Sequence, residues 1–467
     1  MERNVKTGDA IAEILKREGV EILIGYPVNH VIEAAARADI RTVIVRQERI
    51  GLHMADAMSR LSSGKNIGVF AMQHGPGSEN AFGGVAQAFG DSVPILILPM
   101  GYERAIAHVT PNFNSALNFR NVTKLSEPIT SANEICNVMR RAFTQLRNGR
   151  PAPVLVEIPH DLFAEEMDGE FSYRPTFSTR SGPDPDAVQE VAKVLVDAQR
   201  PVIYAGQGVH YAEAWPALKR LAELLAAPVT SSLGGKSAFP EDHHLSLGTG
   251  GSTCTLMVDR FLQTTDFILG VGTSFAISNF AAPMPQEAIK AQITNTPEDL
   301  NRDYRVAYGA VGDAKLVLQQ LIEEAKVQLG EHGRGDVHNV KEEIKTIREE
   351  FYKEWGPRLI SSEVPISPYR VFHDLMNTVD PKEVIVTHDS GYPRNQLVPF
   401  WPALTPRSYI GWGKSTQLGY GLGLALGSKM AAPSKTPIPV ASVLPEPPPI
   451  WFPKIPPVIP PITAPPC

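Results

Sequence analysis

Cysteine is scarce in this chain. Only Cys136, Cys254 and Cys467 occur in 467 residues, scattered without metal-ligand spacing. That excludes a disulfide-built scaffold and fits a reducing compartment. Long apolar runs are missing as well: none reaches the roughly 18 residues of a membrane span. Nor is there an excess of one charge. Lys and Arg number 44 against 50 Asp and Glu, a net of -6, which gives no electrostatic case for nucleic acid or an anionic membrane. The N-terminus lacks the apolar stretch of a secretory signal. It enters a helix directly, with Thr7 as the expected cap, Ile11, Ile14 and Leu15 as the apolar stripe and Gly19 as the stop. A cytoplasmic protein is expected.

What is present is alternation. Up to about residue 165, strands are expected at 21–24, 42–45, 67–72, 94–98 and 154–158, with helical patterns between them. That order argues for a parallel sheet covered on both faces. A Ser-, Gly-, Pro- and Asp-rich linker follows over 164–185. The segment 186–325 repeats the style, with RPVIYAGQGV (200–209) and TTDFILGVGTSF (264–275) as strands running into glycine turns. Neither turn completes GxGxxG, so tight turns at strand ends are the reading for both. VKEEIKTIREEFYKEW (340–355) reads as a solvated helical connector. A third α/β pattern spans 366–436 and contains EVIVTHDSG (383–391). The fold class is therefore α/β, with three doubly wound parallel-sheet domains at 1–165, 186–325 and 366–436, the last incomplete. The proline-rich stretch 437–467 is expected to be disordered, because prolines at that density suit neither a helix interior nor a central strand.

Two short stretches carry chemistry. In TVIVRQERIGLHMADAMSR (42–60), Glu48 lies where a β-branched strand ends and an amphipathic helix begins, with Met54, Ala57, Met58 and Leu61 as its stripe. Carboxyl ends of strands are where open α/β sheets bind ligands. Position alone still favours a carboxylate that stabilises the helix N-terminus. In HGPGSENAFGGVAQAF (74–89), Gly75-Pro76-Gly77 permits a sharp turn, and Gly83, Gly84, Ala86 and Ala88 leave the following helix nearly bare. Close packing of helix on sheet explains such a pattern as readily as a flat ligand does.

GYP (25–27), RQERIGLHMADAMSR (46–60), the stretch 68–98 and NGRPAPVLVEIPHDL (148–162) resemble the pyrimidine-binding domain of thiamine-diphosphate enzymes, nearest the acetolactate synthase, pyruvate oxidase and benzoylformate decarboxylase group. RPVIYAGQGV, residues 227–251, DFILGVGTSF and GDAKLVLQQL (312–321) resemble the middle domain of that group. DSG (389–391) and LGYGLGLALGSKMAAPSK (418–435) resemble the opening of its pyrophosphate domain.

The resemblance implies a role for Glu48 as catalytic carboxylate, hydrogen-bonded to the cofactor's aminopyrimidine and sharing a proton with the ring nitrogen. The cofactor then attacks the carbonyl of a 2-oxo acid, and carbon dioxide leaves. Pro27, Glu48, Gly75, Pro76, Asn80 and Leu418 form the implied cofactor-binding set. Pro76 and Asn80 lie near the ring in that family, and Leu418 takes the place of the bulky residue that props the cofactor into a bent form. His53 and His74 are further candidates to face substrate, against the commoner structural role of a lone histidine.

The resemblance also implies a homodimer or homotetramer, in which this domain faces the pyrophosphate domain of another subunit. It leaves FAD possible in the middle domain. Two features depart from the family. No Gln-Glu pair precedes Val122-Thr123-Lys124, which puts acetolactate formation itself in question. No Gly-Asp-Gly follows MAAPSK, so the Mg²⁺ ligands implied for the diphosphate are missing and no metal-ligating residue is assigned. The tail reads either as a genuine extension of a non-catalytic relative or as a frameshift or miscalled gene end. Acetolactate synthase-like decarboxylation and carboligation is the expected activity. The alternatives are 2-oxo acid decarboxylation or oxidation, or a binding protein without turnover.

Overall fold

The computed structural model describes residues 5–440, apart from 336, 412 and 416, together with 450–451. Its first sheet contains β1 (Ile22–Gly25), β2 (Arg41–Ile44), β3 (Gly68–Met72), β4 (Ile95–Gly101), β5 (Leu125–Pro128) and β6 (Val154–Pro159). The order is β2-β1-β3-β4-β6-β5, and every pair is parallel. Strands β3, β4 and β6 are buried along their whole length, so they read as unbroken apolar runs. Strand β5, Leu-Ser-Glu-Pro at the sheet edge, carries no such signal and is not legible from the sequence.

The second sheet is built from β7 (Pro201–Ala205), β8 (Val229–Ser231), β9 (Ser246–Thr249), β11 (Phe267–Val271), β12 (Ile289–Thr294) and β13 (Tyr308–Val311), ordered β13-β12-β11-β7-β8-β9. Its pairs are also parallel. The short β10 (Thr253–Cys254) lies outside it. The third sheet has three parallel strands in the order β15-β14-β16: β14 (Val384–His388), β15 (Tyr409–Ile410) and β16 (Thr436–Val440). The chain is thus α/β with parallel sheets flanked by helices.

Three local expectations are corrected. Thr7 does not cap the first helix; Lys6 occupies the cap, and the Thr7 hydroxyl donates to Glu165 O at 3.1 Å. The helix Val337–Leu359 is no mere solvated connector. Ile344, Ile347, Phe351, Trp355 and Leu359 recur on one face and enter a core shared by the second and third sheets, where Phe351, Trp355, Tyr369 and Phe400 form an aromatic cluster.

The proline-rich stretch begins as an ordered edge strand. Pro437 and Pro439 alternate in β16, so the N–H groups that proline lacks fall on the unpaired side, while Thr436 N donates to Glu383 O at 3.2 Å. A further short strand, β17 (Ile450–Trp451), pairs antiparallel with β10. The remainder of the tail, including Cys467, lies outside the described residues.

Candidate active site

The first sheet reverses its winding direction beside β1, since the chain passes from β1 to β2 on one side and on to β3 on the other. Such a switch opens a crevice at the carboxyl ends of the strands. Four expected residues sit on the three segments that leave this edge. Pro27 follows β1, Glu48 follows β2, and Gly75 and Pro76 follow β3. Gly75 adopts φ +58°, a conformation that favours glycine, and a Cβ there would meet Tyr102 Oη at 2.8 Å. Gly77 lies against Glu48: a Cβ at this glycine would stand 3.6 Å from Glu48 Oε1. The glycine turn and the carboxylate are therefore neighbours, as their positions at one sheet edge suggest.

Glu48 is the first residue of the helix Glu48–Leu61 and is only 4% exposed. Its carboxylate has no hydrogen-bond partner among the described residues. The residue is buried but its carboxylate oxygens are not sealed off, and their position beside a backbone bare of side chains leaves room for a ligand that donates to them. Gly75 is buried, whereas Pro27, Pro76 and Asn80 are exposed along the rim.

Leu418 is no core leucine. It is 66% exposed and sits in the segment leading into the helix Tyr420–Ala431. That segment lies against the first sheet's helices. Gln417 accepts a hydrogen bond from His53 Nε2 at 2.7 Å and fills the space above Gly83, while Gly419 lies beside Ile50. The resemblance implies this pairing between subunits; here both sides belong to one chain.

Comparison with known proteins follows the same division. Residues 5–122 match the N-terminal TPP binding domain of thiamine pyrophosphate enzymes, and residues 188–321 match the central domain of those enzymes. A probable acetolactate synthase large subunit of Methanocaldococcus jannaschii is 31% identical over 448 residues, covering 92% of this chain and 74% of that protein. The acetolactate synthase isozyme 3 large subunit of Escherichia coli is 28% identical over 455 residues, covering 92% of this chain and 76% of its own. The chain belongs to the thiamine pyrophosphate enzyme family.

For a thiamine pyrophosphate enzyme, the donor-free Glu48 beside the glycine turn fits the ring-facing half of the cofactor. The third sheet offers less. Asp389, just past β14, accepts N–H groups from Ser390, Gly419 and Gly421 at 2.7 to 3.3 Å, so it closes its own loop. Among the described residues no group of three His, Cys, Asp or Glu side chains is arranged to hold a metal ion. No described helix is long and apolar enough to cross a membrane.

Sequence reasoning missed a buried network that joins the parts of this family member. Arg60, on the Glu48 helix, donates to Asp56, to Asp91 at 3.0 Å, to Tyr420 Oη at 2.7 Å and to Gly411 O at 3.0 Å. Asp91 in turn accepts N–H groups from Gly413 and Lys414. The i, i+4 spacing of Asp56 and Arg60 was a visible signal, but such a pair normally lies on a solvated face.

The two glycine turns of the second sheet serve each other. Gly206 and Gly208 pack directly on Gly272, where any side chain would overlap backbone. His53 is buried and neutral: desolvation pushes it down to about 4. His74 is also pushed down, by burial and by neighbouring His160, and its Nδ1 is buried without a partner.

Proposed function

We propose that this chain carries thiamine diphosphate chemistry on a small 2-oxo acid, of the decarboxylation and carboligation kind its acetolactate synthase relatives are named for. One observation carries the reading: the carboxylate of the buried Glu48, without a donor, set against a glycine turn at the sheet's switch point. When bound, thiamine diphosphate would supply the electron sink for the pair left on the acid's carbonyl carbon as its carboxyl group departs as carbon dioxide. The residues of the chain do the rest. Glu48 would face the ring, Gly75 and Gly77 would leave room for it, Pro27, Pro76 and Asn80 would border it, and Leu418 would approach from the third sheet.

The sequence offers no Gly-Asp-Gly for magnesium, and that favours a second reading of the 467-residue chain itself: a family member that binds the cofactor weakly and turns over little. Calorimetric titration with thiamine diphosphate and Mg²⁺ separates the two. The proposed site predicts magnesium-dependent binding that Glu48→Gln weakens at least about tenfold, or about 1.4 kcal/mol. Absence of binding to the unsubstituted chain sinks the enzyme reading for it. A flavin in the second unit has the support of a cavity of about 470 Å³ lined by Gly206, Gly208, Ser232, Gly272, Thr273 and Lys414. Flavin absorbance in the same purified sample decides that point.

A further inference from the structure

One charge interrupts an otherwise apolar strand. Strand β6 reads Val-Leu-Val-Glu-Ile-Pro and is buried along its whole length, Glu157 included. By alternation Glu157 lies on the same face of the sheet as Leu155, which belongs to the core formed with Leu52, Ala81 and Phe119 under the helices Glu48–Leu61 and Pro76–Gly90. A carboxylate buried in such a strand costs stability unless it is bonded, so its partners show what it is for.

Those partners bracket one surface segment. Glu157 Oε1 lies against Gly101, the last residue of β4, where a Cβ would stand 2.9 Å away. Its Oε2 accepts the Ala116 N–H at 2.8 Å, and Ser115 offers donors to the same carboxylate. Burial pushes the carboxyl above its usual range, and these donors pull the other way. Residues 102–114 thus leave and return on either side of one carboxylate. Arg104 donates to Asp161 at 2.8 Å and ties down the first part of the segment. Both of its ends reach the glycine turn. Tyr102 Oη faces Gly75, and Ser115 Oγ lies 2.8 Å from Ser78 Oγ, both serines being buried. Ser78 follows Gly77, the glycine that faces Glu48.

We propose that Glu157 is a positioning residue: it closes the neck of the segment 102–114 and, through Ser115 and Ser78, fixes the glycine turn beside Glu48. The physical basis is the count of acceptors. A carboxylate presents two acceptor oxygens and no donor, so it holds the N–H groups of Ser115 and Ala116 while Ser115 Oγ pairs with Ser78. An amide in its place sets a donor against donors. The neck and its link to the turn rest on this geometry alone; only the identity of the ligand that the turn receives rests on the thiamine diphosphate reading.

Hydrogen exchange of the full chain, read by mass spectrometry without cofactor, is the test. In Glu157→Gln and in Ser115→Ala, the amides of residues 79–84, in the first turns of the Pro76–Gly90 helix, are expected to exchange at least about fivefold faster, while those of β11 in the second sheet keep their rates. Ser115→Ala leaves the carboxylate and the Ala116 N–H in place, so it carries the test if Glu157→Gln fails to fold. Faster exchange confined to residues 115–118, or no change, means that Glu157 serves only its immediate partners and overturns the proposal. Calorimetric titration reads the consequence. Where the unsubstituted chain binds thiamine diphosphate, each variant is expected to weaken it about tenfold, and adding Ser78→Ala to Glu157→Gln is expected to weaken it no further. Additive losses, or full affinity in both variants, overturn the positioning role. A chain that binds no cofactor sinks the thiamine diphosphate reading and leaves the exchange rates to decide this one.

Discussion

His53 shows what burial does to a single side chain. It sits inside the contact between the Glu48 and Tyr420 helices, donates to Gln417 and stacks edge-on against Tyr420 at 4.7 Å. Desolvation lowers its value from 6.5 to about 4, outweighing the Gln417 bond that raises it. The sign follows directly. Below about pH 6.5 the unfolded chain takes a proton that the folded chain refuses until about pH 4, so stability falls across that window by about 1.4 kcal/mol per pH unit. Replacing this imidazole, as in His53→Leu, is expected to flatten the pH dependence of the urea midpoint by about that slope, whatever it does to stability at neutral pH. An unchanged slope means His53 is already protonated when folded.

Among the elements, the decisive contact is between two helices that meet almost without side chains. A Cβ at Gly423 would lie 2.5 Å from His53 Cβ, and one at Gly427 would overlap the backbone of Met54. Gly84 of the neighbouring helix, Pro76–Gly90, likewise has Leu52 Cδ1 at 2.9 Å from its would-be Cβ. These glycines bring the Glu48 helix close to both partners at once. Gly427→Ala is expected to cost about 2 to 3 kcal/mol, because its obstacle is backbone rather than a movable side-chain end. Equilibrium denaturation checks this, and Gly90→Ala, with nothing within 4 Å, serves as the control.

In the whole molecule, the Arg60 network ties the first unit to the third segment through Tyr420, Gly411 and, by way of Asp91, Gly413 and Lys414. Every charge in it is buried, so its members depend on one another. The same assembly leaves an apolar stripe uncovered: Leu418, Leu422 and Leu426, four residues apart, are 66%, 51% and 46% exposed. Exposed apolar stripes of this kind mark association surfaces. We infer a homo-oligomer that covers it, and light scattering of the purified chain is expected to give twice the 50.9 kDa mass or more. A monomer that stays soluble at high concentration argues against it, and Leu422→Glu is the variant expected to dissociate the assembly.

The sequence by itself determined the parallel α/β character, because buried parallel strands read as apolar runs, and because Gly75-Pro76 marks a sharp passage from strand into helix. It also marked Glu48 and the glycine turn as ends of neighbouring elements. It could not show that Asp56 and Arg60 are buried, that the charged helix at 337–359 hides an aromatic face, or that alternate prolines fit a sheet edge. Nor could it show that His30 and His160 meet. Those facts depend on which elements pack together, and distant pairings leave no local period in the chain. Local patterns report a residue's own turn or strand; only the packed structure decides what stands opposite it.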